Sequence, residues 1–292
     1  MMRTRGEKIF NIFNITTLFI FILTTLYPLW YVFIISITDT TAVSTANIFL
    51  LPGPLTTDSY RAVLLNPLLL SGFKISFLRV IVGVGVTMIN CTTMAYVLSR
   101  KHFKAKRFFN LFCVIVLFVS GGMIPFYLVS RELGMINNFW GLIFPHAFDP
   151  FGIILIRNYF NTTPRALEES ARIDGANDFI IFLRIVIPIS VPILATMALF
   201  WSVWFWNDFI NAAFFVTKQE LYPIQVILLQ IIKGMSNANS ISKLRARGLA
   251  LRTNGEAVKN AAIIVSIVPI LLVYPFLQKY FVHGLKLGSV KE

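Results

Sequence analysis

The stretch EESARIDGANDFIIFLRIVIP, residues 168–188, decides how this chain is organised. It brings four carboxylates and two arginines together between segments that are apolar enough to cross a bilayer. Charged groups are expensive to place in hydrocarbon, so this stretch is expected to lie outside the membrane. The sequence therefore predicts a polar insert on a membrane protein.

The local pattern of the insert predicts two short helices. Thr163 is predicted as the N-cap of the first helix, and Pro164 suits its first position, where a missing N–H costs nothing. Gly175 is expected to end that helix in a turn. Asn177 can then cap a second helix that runs to Pro188, where the chain bends into the next apolar segment.

The composition is that of an integral membrane protein. Of the 292 residues, 57% are hydrophobic and only 13% are charged, whereas soluble proteins contain about 25% charged residues. A spanning helix needs about 20 apolar residues. Six stretches qualify, which predicts one all-α transmembrane domain over 1–292, with spans at roughly 10–37, 72–98, 108–130, 139–160, 189–216 and 261–282.

The distribution of basic residues predicts the orientation, because lysine and arginine favour cytoplasmic connections. They cluster before the first span, between the second and third spans, around the insert and after the last span. Both termini and the insert over 161–188 are therefore expected to face the cytoplasm. The connection over 218–260 must then be external although it holds seven basic residues. That loop is either an ordinary solvated surface or a contact for an acidic partner or an anionic substrate.

The spacing of the insert resembles a known family motif. From Glu169 the pattern reads E-S-A-x3-G-x9-I-x-I-P, which is similar to the E-A-A-x3-G-x9-I-x-L-P loop in membrane subunits of bacterial ATP-binding-cassette (ABC) importers. Ser170 and Ile187 are the departures from that pattern. Longer stretches resemble the carbohydrate branch of these permeases, the MalG-like subunits and especially the LplC-like subgroup. They begin at Gly72, Phe118, Trp204 and Tyr274.

This resemblance implies a type I importer permease fold with a cytoplasmic helix-turn-helix coupling loop. It also implies a bacterial cytoplasmic-membrane protein that forms half of the pathway for an oligosaccharide or sugar derivative. The implied partners are a second, homologous permease, two ATPase subunits, an extracytoplasmic solute-binding protein and membrane lipid, without nucleic acid. A non-sugar solute, or an ion-coupled secondary transporter, is the alternative. The residues expected to couple to the ATPase are Glu168, Glu169, Ser170, Ala171, Asp174, Gly175, Ala176, Ile185 and Pro188.

Two features inside the spans are candidates for function, because ionisable residues are rare there. Trp204, Asn207, Asp208 and Asn211 recur at i, i+3, i+4 and i+7, so a continuous helix would place them on one face. That face either lines a sugar path or is an interfacial aromatic belt with interhelical hydrogen bonds. Arg79 is interpreted as snorkelling to the lipid headgroups, with a functional role as the alternative.

The sequence gives no reason to expect an enzyme. It has no G-x4-G-K-[ST] phosphate loop and no H-E-x-x-H or G-x-S-x-G motif. Its three histidines are far apart, and its two cysteines lie within predicted spans. The chain is therefore expected to bind no cofactor, while ATP and magnesium are expected on the partner ATPase subunits.

Overall fold

The structure is a computed structural model that describes residues 5–40, 50–233 and 255–289. Within these ranges the regular elements are helical, and the one β-type pairing is an isolated bridge between Thr38 and Leu55. We number the α-helices α1 (Arg5–Ser36), α2 (Asp58–Leu64), α3 (Pro67–Ser99), α4 (Lys106–Phe118), α5 (Met123–Glu132), α6 (Pro150–Phe160), α7 (Arg165–Ile173), α8 (Asp178–Ile181), α9 (Ile187–Ile189), α10 (Val191–Asn207), α11 (Ile210–Phe215), α12 (Ile224–Ile232) and α13 (Gly255–Ser289).

Short helices of other types join some of these elements. Two 3-10 helices, Phe139–Leu142 and Phe144–His146, precede α6, and a third covers Gln219–Leu221. A π-helical turn, Phe182–Val186, connects α8 to α9. Such π-turns are rare and occur mostly as interruptions within α-helices.

Three helices are long and apolar enough to cross a membrane on their own: residues Gly6–Ser36, the whole of α3, and Gly255–Leu272 of α13. Three further pairs of helices pass the same test only together. Each pair is bent at a break of four residues or fewer. The described residues thus hold three candidate spans, or six if each bent pair is one span.

The predicted spans at roughly 108–130 and 139–160 each contain one of these bends, and the third bend lies at Ser190, where the predicted span at 189–216 begins. The angles are 119° between α4 and α5, 51° before α6 and 80° between α9 and α10. Local chemistry accounts for two of the breaks. Gly122 has φ 82°, a conformation that interrupts a helix and that side chains disfavour. Asp149 caps α6 by accepting hydrogen bonds from the N–H groups of Phe151 and Gly152, which starts a new helix there.

The chain divides into two compact units, of which the first covers 1–70 and 228–268. In this unit Ile34 and Ile35 near the end of α1 are buried in a small cluster with Ala257. The segment after α1 is tied down by two backbone hydrogen bonds, from Asp39 N–H to the Pro54 carbonyl and from Thr56 N–H to the Ile37 carbonyl. These bonds hold residues 37–39 against residues 54–56, just before α2.

The second unit covers 71–227 and 269–292 and contains the larger core. Its buried residues come from α3, α4, α6, the 178–189 region and α10, with Phe160, Trp201 and Phe205 among the largest. Cys91 and Cys113 are buried and free within this core. The start of α12 also packs here, because Ile224 N–H donates to the Ser76 hydroxyl of α3.

Candidate functional site

The segment from α7 to α9 contains the sequence motif, and its turn is built by two backbone hydrogen bonds. Ala176 N–H donates to the Ala171 carbonyl (2.9 Å), and Gly175 N–H donates to the Arg172 carbonyl (3.1 Å). Gly175 has φ 83°. This combination is a Schellman motif, in which glycine occupies the left-handed position after the helix end. The Asn177 side chain then accepts a hydrogen bond from Ile180 N–H and caps α8, as predicted.

The helix start differs from the prediction. Pro164 is itself the N-cap residue, with ψ 122°, and α7 begins at Arg165 without a side-chain cap. Thr163 therefore lies one position too early to cap the helix. Its side chain is buried, and the hydroxyl has no hydrogen-bond partner among the described residues.

The motif residues divide into an inner and an outer set. Ala171, Ala176 and Ile185 are partly buried and pack against the core of the second unit. The outer set is exposed and consists of Glu169, Ser170, Asp174, Gly175 and Pro188. Small residues on the inner side allow α7 to lie close to the core, while the outer side remains available to other molecules.

Glu168 belongs to neither set, because its carboxylate forms an ion pair with Arg100, which directly follows α3. The Arg100 guanidinium also lies 4.3 Å from the centroid of the Tyr96 ring. Tyr96 in turn donates its hydroxyl hydrogen to the Asp178 carbonyl of α8 (3.0 Å), and its ring lies 4.7 Å from that of Phe182. The end of α3 thus holds both α7 and α8.

A cleft of about 210 Å³ lies beside this ion pair. It is lined by the end of α3, the end of α6 and one side of α7, and Thr163 contributes its buried side chain. A second ion pair on the same segment joins Arg172 to Asp178 at 2.5 Å, with side chains 46% and 65% exposed. The Arg100–Glu168 pair is far less exposed, at 18% and 13%, so solvent screens it less.

A second polar region lies around Asp208, where α10 ends. The Arg79 guanidinium pairs with the Asp208 carboxylate and also donates to two backbone carbonyls, those of Asp208 (2.8 Å) and Leu142 (3.0 Å). The side chains of Arg79 and Asp208 are only 1% and 7% exposed. The interpretation of Arg79 as a snorkelling residue was wrong. The Arg79 guanidinium points into the protein, where it pairs with one carboxylate and donates hydrogen bonds to two carbonyls.

Other polar groups of α3 satisfy the irregular backbone between the 3-10 helices and α6. The Thr87 hydroxyl donates to the His146 carbonyl, and the Asn90 amide donates to the Ala147 carbonyl. The Cys91 sulfur accepts from Asp149 N–H at 3.3 Å. Residues 79, 87, 90 and 91 share one helical face. Non-helical backbone in a membrane must find such partners within the protein, and this face of α3 supplies them.

The predicted polar face of the fifth span is divided by the helix break at Asp208. Trp204 stacks on the His146 ring at a centroid distance of 3.6 Å. Asn211 donates both its backbone N–H and its side-chain amide to the Asp208 carboxylate. Asn207 is exposed, and its amide has no hydrogen-bond partner in the part of the chain that the structure describes. Trp204, Asp208 and Asn211 are therefore already engaged within the protein.

Comparison with known proteins identifies the family. No protein-family model matches the chain. It is 36% identical over 301 residues to protein LplC of Bacillus subtilis, covering 100% of this chain and 98% of LplC. It is 34% identical to the polygalacturonan/rhamnogalacturonan transport system permease protein YtcP of the same organism, covering 98% and 99%. A solved bacterial ABC transporter involved in the import of the acidic polysaccharide alginate contains a chain with TM-score 0.90 and 34% identity, covering 96% and 99%. The chain belongs to the family of ABC transporter permeases.

The family assignment confirms the resemblance drawn from the motif, and it places this ABC transporter permease among membrane transport proteins rather than enzymes. Among the described residues, no group of three histidine, cysteine, aspartate or glutamate side chains could hold a metal ion. About half of the predicted basic loop over 218–260 lies outside the described residues, because 234–254 are not among them.

Sequence reasoning missed two parts of the permease site. It did not predict that Arg79 pairs with Asp208, although these two residues were the noted ionisable side chains of the spans. It also missed the polar face formed by Arg79, Thr87, Asn90 and Cys91. The spacing of these residues on one side of an apolar helix was the signal that could have revealed it.

Proposed function

We propose that this permease forms half of the membrane pathway of a binding-protein-dependent importer for an oligosaccharide. The observation that supports this most strongly is the full-length likeness to YtcP and to the alginate importer chain, at 34% identity in both cases. The motif around Gly175 supports the same proposal independently, because it resembles the loop through which such permeases meet their ATPase subunits.

The proposed topology has six spans, three of them bent, within one transmembrane domain. In this topology both termini and the segment 161–188 face the cytoplasm, and 218–260 faces outward. The exposed residues Glu169, Ser170 and Asp174 then present hydrogen-bonding groups to an ATPase subunit, with Glu169 suited to a charge-assisted bond. ATP and magnesium are held by that partner. A second, homologous permease and an extracytoplasmic binding protein complete the importer.

We further propose that the substrate is an acidic oligosaccharide. Polygalacturonan, named for one relative, is built from carboxylate-bearing sugars, and alginate, named for the solved structure, is an acidic polysaccharide. The seven basic residues over 218–260 favour anionic solutes electrostatically. Asn207 offers an exposed amide for sugar hydroxyls near the stacked Trp204.

Uptake by the complete importer tests the proposal. The complex would be reconstituted in vesicles with its binding protein and supplied with either trigalacturonate or maltotriose. We expect ATP-dependent uptake of trigalacturonate and much weaker uptake of maltotriose. Preference for maltotriose would contradict the acidic substrate, and uptake without ATP, driven by an ion gradient, would contradict the importer.

A further inference from the structure

Helix α3 contacts both polar regions of the second unit, one at its C-terminal end and the other near its middle. Near its end, Arg100 pairs with Glu168 of α7 and Tyr96 bonds the Asp178 carbonyl of α8. Further toward its start, Arg79 holds Asp208 and the Leu142 carbonyl. Between Arg79 and Tyr96 the helix is continuous over 17 residues, which corresponds to about 26 Å.

We propose that α3 transmits the movement of α7 to the helix break at Asp208, with Arg100 and Arg79 as the two positioning residues. This inference rests on the proposed function, in which an ATPase subunit moves α7. An unbroken helix resists bending because its backbone hydrogen bonds run from end to end. When α7 moves, the Arg100–Glu168 pair displaces α3. Arg79 then displaces the end of α10 and the 3-10 segment together.

The polypeptide chain itself also connects α7 to the break at Asp208, but two irregular segments interrupt this connection. It passes through the π-turn at Phe182–Val186 and an 80° bend between α9 and α10. Both features interrupt the regular hydrogen-bond ladder of a helix. The route through α3 has neither interruption, and its two contacts are buried or nearly buried ion pairs.

The experiment measures whether a nucleotide bound to the ATPase changes the surroundings of the break. The Asn207→Cys variant is introduced into the complete importer in vesicles, and the rate of maleimide labelling is compared with and without ATP plus vanadate. Cys91 and Cys113 are buried, so the unmodified chain gives the background. We expect nucleotide to change the labelling rate by about fivefold or more.

The Arg100→Glu variant should make the two labelling rates equal while the complex still assembles and hydrolyses ATP. Reversing the pair, with Arg100→Glu and Glu168→Arg together, should restore most of the nucleotide response. Asp178→Asn is the matched control, because it removes the other ion pair of the same segment, and it should leave the response unchanged.

The outcomes separate this inference from the proposed function. If the parent responds to nucleotide and Arg100→Glu responds equally, α3 does not transmit the movement through Arg100 and the inference is overturned. The inference also fails if the reversed pair restores nothing. If the parent shows no nucleotide response, including no labelling at all, no movement reaches the break and the inference is overturned, whereas loss of ATP-dependent uptake by the same vesicles would contradict the proposed function.

Discussion

The turn at Gly175 and the break at Asp208 both interrupt helical structure in an apolar chain, but they are stabilised in opposite ways. The turn is closed by hydrogen bonds that span at most five residues, such as Ala176 N–H to the Ala171 carbonyl. The break depends on Arg79, which is 129 residues away from Asp208 in sequence. The Arg79–Asp208 ion pair at the break is also buried, whereas the outer side of the turn is exposed. A local interruption suits a surface that meets partners, and a long-range one couples distant helices.

Among the substitutions at the turn and at the break, Arg79→Ala should lower the stability of the protein most. This change leaves the buried Asp208 carboxylate without its partner, and breaking a buried ion pair costs about 3–5 kcal/mol of stability. We expect a strongly lowered melting temperature of the purified complex. The double variant Arg79→Ala/Asp208→Ala should recover part of the loss, because no charge is left unpaired. Equal melting temperatures for parent and single variant would contradict the buried pair.

A smaller effect is expected at the turn from Gly175→Val. A β-branched residue at φ 83° stores about 1–3 kcal/mol of strain, although no described atom lies within 4 Å of the added Cβ. The turn should therefore rearrange without a clash, and substrate-stimulated ATP hydrolysis should be lost while the complex assembles. Gly175→Asn is the control, since asparagine tolerates this conformation. Equal activity of the valine and glycine proteins would show that the turn geometry is irrelevant.

Trp201→Phe tests the hydrogen bonding around the break before α6. The Trp201 indole N–H donates to the Asp149 carboxylate at 2.9 Å, and its loss should cost about 1 kcal/mol. The effect is modest because Gly152 N–H still donates to the same oxygen. A melting curve of the complex measures it. A decrease in melting temperature as large as that of Arg79→Ala would show that Trp201, rather than Arg79, makes the main stabilising contact.

The smallest effect is expected from Arg172→Ala. Its partner Asp178 is 65% exposed, and surface ion pairs contribute about 0–1 kcal/mol. The melting temperature should therefore stay close to that of the parent at both low and high salt. A large, salt-sensitive decrease would show that surface charge, rather than backbone hydrogen bonds within the turn, stabilises this segment.

The sequence predicted the parts of the fold that depend on neighbouring residues. The family motif, the helix end at Gly175 and the Asn177 cap follow from patterns within about twenty residues. The Thr163 cap failed by one position, because Pro164 has an extended ψ and lies outside the helix. Helix ends commonly shift by a residue in this way.

The parts that failed depend on contacts between distant residues. Periodicity described 189–216 as one helix, since Asp208 reads as a polar residue on a continuous face. The helix can end at Asp208 because Arg79 of α3 donates a hydrogen bond to the Asp208 carbonyl. The same is true of the backbone near His146, whose partner Thr87 lies 59 residues earlier.

The most direct test of the central claim is substrate-stimulated ATP hydrolysis by the complete importer carrying Glu169→Lys. Glu169 is exposed on α7, while its neighbour Glu168 is already paired with Arg100, so the reversal should affect partner contact rather than the fold. We predict that stimulation is lost while membrane insertion of the permease stays normal. Undiminished stimulation would contradict the assignment of this segment as the contact with the ATPase.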